Sequence, residues 1–252
     1  MLNHEGLELK EGESVTGINL GLKMIQRNGG FVFGTDALLL AAFMKPLTHK
    51  RAVDFGCGSG AVSLLCAASG KFAHIDAIEV QTEYAELCER NVCLNGLSDV
   101  ISVRNEDVRN LVSGHEKFGV VFTNPPYMRS DTGKHAHDSG RNAARHELNG
   151  GIFDFCAAAA AALEWGGAFY AVYRPDRLVD LIFSMRSSGI EPKRCCFVQK
   201  DSSHAPSLVL VEGIRGGKSS LVIMPALLLS DDNGNTTERV ELIYRTLDFN
   251  LE

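Results

Sequence analysis

The sequence predicts an α/β protein with a doubly wound, mixed central sheet of about seven strands and helices on both faces. Three observations predict it. Short apolar runs alternate with helix-period stretches from residue 51 onward. A glycine-rich turn joins the first such run to the helix behind it, and no repeat, low-complexity tract or Pro-rich linker interrupts the pattern. The 252 residues therefore read as one domain, with residues 1–50 as an N-terminal extension that covers a ligand site.

Each element has its own signal. Gly34-Thr35-Asp36 precedes the apolar stretch Ala37–Phe43, which reads as a helix whose first-turn N–H groups Thr35 or Asp36 can satisfy. Strands are expected at Arg51–Phe55, His74–Val80, Val100–Asn105, Val120–Thr123, Ala168–Tyr173, Arg194–Val198 and Leu208–Ile214. Helices are expected at Ala61–Ala68, Thr82–Leu94, Ile152–Glu164 and Asp176–Ser187. Alternating strand and helix implies βαβ crossovers, hence a mostly parallel sheet buried on both faces. The last two strands have no long helix between them and should form an antiparallel hairpin at one edge.

Composition bounds the function. Hydrophobic residues make up 45% and charged residues 22%, as in an ordinary folded domain. No apolar run approaches the length needed to span a bilayer, and no signal peptide is evident, so a cytoplasmic protein without a membrane partner is expected. Seven cysteines without CxxC spacing read as reduced thiols, and no metal site is expected. A net charge of −6 argues against a protein that coats nucleic acid, but it leaves room for an enzyme with one local basic face. Residues 186–218 carry a basic surplus and residues 219–252 an acidic one.

Two motifs carry chemistry. The strand ending Asp54-Phe55 runs into Gly56-Cys57-Gly58-Ser59-Gly60, where glycines permit a tight turn and let backbone approach a ligand. A second strand about 20 residues on ends at Glu79, an acid placed to accept hydrogen bonds from a ribose diol. A further acid, Asp107, follows the third strand, with a surface or helix-capping role as its competing reading.

The fourth strand ends in Asn124-Pro125-Pro126-Tyr127, at the sheet edge where open α/β folds bind ligands. Two prolines fix φ and stiffen the segment. An exocyclic amine conjugated to a ring is a poor nucleophile because its lone pair is delocalised. The Asn124 side-chain oxygen and the Pro125 carbonyl can hold its two hydrogens, which favours a pyramidal nitrogen and aims the lone pair at an electrophilic methyl group. Tyr127 offers a ring face for stacking a planar base.

Together these motifs resemble the class I methyltransferases, whose loop pattern is DxGxGxG and whose cofactor is S-adenosyl-L-methionine. The amino-acid end of that cofactor carries an ammonium, which suits Asp54. The Asn-Pro-Pro-Tyr signature belongs to members that modify adenine amino groups or glutamine amides. Gly34-Thr35-Asp36-Ala37-Leu38-Leu39-Leu40, Arg145-His146-Glu147, Asp154-Phe155-Cys156 and Tyr173–Leu178 narrow the likeness. They are similar to the bacterial tRNA adenine-N6 methyltransferases that act on the adenosine beside the valine anticodon. The resemblance extends from roughly Gly30 to Gly216. It implies a Rossmann-like methyltransferase fold and a cofactor site at Asp54, Gly56, Gly58, Glu79 and Asp107, with Asp36 close by. It also implies a catalytic Asn124-Pro125-Pro126-Tyr127 and a tRNA anticodon loop as substrate.

Arg129, Lys134, His135, His137, Arg141, Arg145 and His146 cluster after Tyr127. Arg129, Arg141 and Arg145 are candidates to grip substrate phosphates, with a solvated surface loop as the competing reading. Lys193, Arg194, Lys200, Arg215 and Lys218 are candidates to extend that basic face. Rival functions are protein glutamine methylation, a non-catalytic RNA-binding module and DNA adenine methylation. The glutamine enzymes carry a longer helical N-terminal domain, whereas only about 50 mostly non-helical residues precede the glycine loop here.

Overall fold

A computed structural model describes residues 9–27, 33–113, 116–125 and 151–249. The chain opens on an antiparallel hairpin, β1 (Glu13–Gly17) and β2 (Lys23–Arg27), followed by helix α1 (Thr35–Phe43). The alternating part comprises β3 (Leu47–Phe55), α2 (Ala61–Ala68), β4 (Phe72–Glu79), α3 (Thr82–Leu94), β5 (Ile101–Asn105) and β6 (Phe118–Thr123). It continues with α4 (Ile152–Ala162), β7 (Leu163–Tyr173), α5 (Leu178–Ser187), β8 (Ile190–Gln199) and β9 (Leu208–Arg215). Two short strands, β10 (Val222–Ile223) and β11 (Leu227–Leu228), precede α6 (Glu238–Thr246).

Among the described residues the central sheet has nine strands instead of the seven expected. The path runs β10-β8-β9-β7-β6-β3-β4-β5, and β11 also pairs with β8. All seven expected strands are present, and the two additions each pair only two residues along β8. Runs of two residues carry no readable periodicity, which is why the sequence did not reveal them. Strands β3 to β7 are mutually parallel, β9 runs against both β7 and β8, and β8 and β9 form the expected antiparallel pair.

Alternation along each strand divides the core between two faces. Ala52, Ile75, Ala77, Val120, Phe122 and Tyr170 point to one side, where α1, α2 and α6 contribute. Val53, Phe55, Ile78, Val121, Phe169 and Ala171 point to the other, against α4 and α5. The period-2 switch is what strands sandwiched between helix layers require.

Helix α1 is buried at every position from Ala37 to Phe43, which explains a composition apolar all round. Gly34 occupies its N-cap position and makes no side-chain cap; Asp36, inside the first turn, accepts the Ala37 N–H at 2.8 Å instead. Its other end is closed by two cations. Lys71 Nζ donates to the carbonyls of Ala42 and Met44, and Arg194 donates to that of Phe43. Burial holds the Lys71 ammonium below its ordinary value. Phe43 meets Tyr170 and Phe249 edge-on, with centroids 6.2 and 5.3 Å apart.

Candidate active site

The carboxyl ends of β3, β4, β5 and β6 lie along one sheet edge, because Phe55 aligns with Ile78 and Thr123 and Glu79 aligns with Asn105. Strand order reverses between β3 and β6, the point at which open α/β sheets leave a crevice for ligands. The Thr123 hydroxyl donates to the Phe55 carbonyl at 2.8 Å and ties those two strand ends together. Asn105 does the same for its neighbour, donating to the carbonyls of Glu79 and Val80.

Gly56, Gly58 and Gly60 all adopt positive φ, so the turn from β3 into α2 needs residues without a Cβ penalty. At Gly58 (φ +55°) a Cβ would stand in open space, whereas at Gly60 (φ +88°) it would fall 2.7 Å from Cys88 Sγ. Gly60 thus serves packing on α3, while Gly58 leaves room beside the loop. Glu79 braces the loop: its carboxylate accepts the N–H of Gly58 at 3.0 Å and that of Gln81 at 2.9 Å. Burial raises the Glu79 carboxyl above its ordinary range in spite of those donors.

Asp54 is buried beneath the loop and accepts the Ser63 hydroxyl at 2.7 Å. Burial pushes its carboxyl up to about 7; the Ser63 bond pulls the other way, and the nearby Glu79 charge adds to the rise. Two buried carboxyls under one glycine loop form an arrangement that a cation would relieve. Asp107 opens the short 3-10 segment after β5, where its carboxylate forks onto Arg109 and also accepts the Arg109 backbone N–H. The guanidinium beside it holds the Asp107 carboxyl below the usual range.

At the end of β6, Asn124 is half-buried and Pro125 is buried. The Asn124 Nδ2 group donates to Asp36 Oδ2 at 3.0 Å, joining the first turn of α1 to the start of the Pro-Pro segment across a long stretch of chain. Pro126, Tyr127, Arg129, Lys134, His135, His137, Arg141, Arg145 and His146 lie outside the described residues.

The second basic group loses one member to the protein's own packing. Arg194 is almost fully covered: it pairs with Glu212 at 2.7 Å, lies over the Phe43 ring and donates to the Phe43 carbonyl. It belongs to the core and is withdrawn from the RNA-contacting candidates. Lys193 folds back onto Ser220 and the Lys218 carbonyl, and Arg215 reaches the carbonyls of Ser188 and Gly189.

One residue of the site escaped the sequence reading. Buried Asn91 on α3 accepts the Ile25 N–H at 2.7 Å and donates both to the Ile25 carbonyl and to that of Ser59 in the glycine loop. It therefore couples the N-terminal hairpin to the loop. A polar residue four positions after Leu87, on the buried face of a helix, was the available signal. Arg90–Glu13 and Arg27–Glu83 ion pairs reinforce the same contact.

Among the described residues no group of three or more His, Cys, Asp or Glu side chains is arranged to hold a metal ion. No helix among them is long and apolar enough to cross a membrane.

Comparison with known proteins places the fold. Residues 30–179 match the family described as methyltransferase small domain. The chain is 29% identical over 146 residues to a tRNA1(Val) (adenine(37)-N6)-methyltransferase of Yersinia pestis. That match covers 52% of this chain and 58% of the relative, so it spans little more than half of the relative's length. A predicted O-methyltransferase from Agrobacterium tumefaciens superposes with a TM-score of 0.68 at 22% identity, over 84% of this chain and 96% of that one. The 16S rRNA N2 G1207 methyltransferase of T. thermophilus, solved with AdoMet and guanosine, gives 0.56 at 18% identity, over 83% and 52%. Both structural likenesses establish the shared fold. With 150 consecutive residues matched, from 30 to 179, the chain belongs to the methyltransferase small domain family.

Proposed function

We propose that the chain transfers a methyl group from S-adenosylmethionine to the N6 amino group of an adenosine in tRNA, beside the anticodon. The observation that carries the reading is the placement of Asn124 and Pro125 at the end of β6, directly beside the β3 end that bears the glycine loop. The residues present fit the cofactor. Gly58 leaves open space where a side chain would intrude, and buried Asp54, its carboxyl pushed up to about 7, would become a carboxylate beside an ammonium. Glu79 has carboxylate lone pairs left for a ribose diol after accepting its two backbone N–H groups. Asp107 would hold the adenine amino group beside its contact with Arg109. When bound, the cofactor supplies an electrophilic methyl on a sulfonium.

The chain's own contribution is positioning. The Asn124 side-chain oxygen and the Pro125 carbonyl hold the two hydrogens of the target amine, and Pro126 keeps the segment stiff. Tyr127 stacks the extruded base. Arg129, Arg141 and Arg145 steady the RNA phosphates. Residues 1–50 serve as an extension over the cofactor site within one domain, a reading supported by the Asn91 bridge between hairpin and loop. The names of the matched relatives support tRNA as substrate, and hence the cytoplasm as the place of reaction.

The test is methyl transfer from labelled cofactor to tRNA lacking its native modification, followed by nucleoside mass spectrometry. N6-methyladenosine that disappears with Asn124→Ala is the expected result. Label in a protein release factor or in DNA, with tRNA unlabelled, would replace the substrate assignment.

A further inference from the structure

Asp36 reaches the site from a different element than any other residue described there, and what it touches is neither loop nor strand end but the Asn124 side chain. A carboxylate oxygen can only accept a hydrogen bond, so the 3.0 Å contact admits the Nδ2 end of the amide and rejects the Oδ1 end. With Nδ2 turned toward Asp36, Oδ1 faces the other way. The geometry points to Asp36 as a positioning residue: it orients Asn124 so that Oδ1 faces the substrate amine. This rests on the proposed reaction at Asn124 and deepens it, because the resemblance alone placed Asp36 near the cofactor.

Three structural facts make Asp36 a firm anchor. Its second oxygen accepts the Ala37 N–H at 2.8 Å, which fixes the carboxylate plane relative to the helix. Helix α1 is buried from Ala37 to Phe43, so its first turn has little freedom to shift. At its far end α1 is pinned by Lys71 and Arg194 on the carbonyls of Ala42, Phe43 and Met44. A rigid, charged acceptor does more than select the flip. Donating to a carboxylate polarises the amide and strengthens Oδ1 as an acceptor for the target amine. A rotated amide would present N–H groups to N–H groups, which repels the substrate at the reacting atom.

The test uses the full chain and two readouts. The first needs no substrate. In protein labelled with ¹⁵N-asparagine, the Asn124 side-chain amide pair, assigned by its loss in Asn124→Ala, should be well resolved and slow to exchange. In Asp36→Ala it should move and lose that protection. The second readout is turnover. Asp36→Ala should lower kcat on the order of 10–100-fold, with cofactor Kd and Tm little changed, and Asp36→Asn should recover part of the loss because its side-chain oxygen still accepts. An unmoved amide pair in Asp36→Ala overturns the proposal. So does a weakened cofactor Kd with kcat unchanged, which would make Asp36 a cofactor ligand. If the wild-type chain methylates no tRNA, the proposed function falls, and the amide spectra still decide whether Asp36 orients Asn124.

Discussion

Binding of S-adenosylmethionine should release a proton, and that proton should come from Asp54. Burial pushes the Asp54 carboxyl up to about 7 in the free protein, whereas an ammonium placed beside it requires the carboxylate. A group titrating near 7 is about 0.9 protonated near pH 6, about 0.5 near pH 7 and about 0.1 near pH 8, and those fractions are the protons expelled per cofactor bound. Deprotonation of Asp54 should therefore strengthen the apparent Kd about tenfold between about pH 6 and about pH 8. Calorimetric titration in buffers of different ionisation enthalpy measures the proton count directly. Asp54→Asn should bind more weakly and lose most of the pH dependence. The linkage for folding has the opposite sense. The folded value lies above the ordinary 3.8, so the stabilising contribution is complete below about pH 4 and is lost as pH rises through about 7. Asp54→Asn should accordingly stabilise the free protein near pH 8 while weakening the complex. A proton count near zero at pH 6, or an unaltered pH profile in Asp54→Asn, would refute the assignment of Asp54 to the ammonium.

Other consequences follow from single contacts. Glu212→Ala strands the covered Arg194 and should cost about 3–5 kcal/mol by urea unfolding, whereas removing its half-exposed partner through Lys45→Ala should cost about 0–1 kcal/mol. Gly60→Ala places a methyl 2.7 Å from Cys88 Sγ at positive φ and should destabilise the fold; Gly58→Ala, facing open space, should cost only about 1 kcal/mol of stability yet abolish cofactor binding measured by calorimetry. Asn91→Ala leaves both backbone groups of Ile25 without their side-chain partner and should lower stability by about 1–3 kcal/mol, with faster hydrogen exchange across β1 and β2.

The architecture was legible where periodicity and turn chemistry agree. Strands β3 to β9 and helices α1 to α5 each overlap their expected ranges, because each buries an apolar face that its spacing advertises, but β3, β7 and β8 begin four or five residues earlier than expected and β7 takes Leu163 and Glu164 from the expected end of α4. The N-terminal hairpin was not legible, since its stability comes from Asn91, Asn95 and ion pairs on α3, far away in sequence. Helix α6 was hidden for a related reason. Val240 and Ile243 give it a narrow apolar stripe, and Phe249 beyond its end completes the contact with Phe43.

By itself the sequence determined the chemistry's vocabulary: a strand, a glycine turn, two acids and Asn-Pro-Pro-Tyr at the carboxyl edge of a parallel sheet. Local spacing suffices there, because a βα turn with positive φ and an acid on the next strand are neighbours through the sheet wherever the rest of the chain goes. Only the tertiary structure decided which partners those residues have. It moved Arg194 from surface to core, set Asp54 under the loop at a raised pKa, and brought Asp36 to the amide of Asn124. Burial and long-range hydrogen bonds are properties of the packed fold, and no spacing within the chain encodes them.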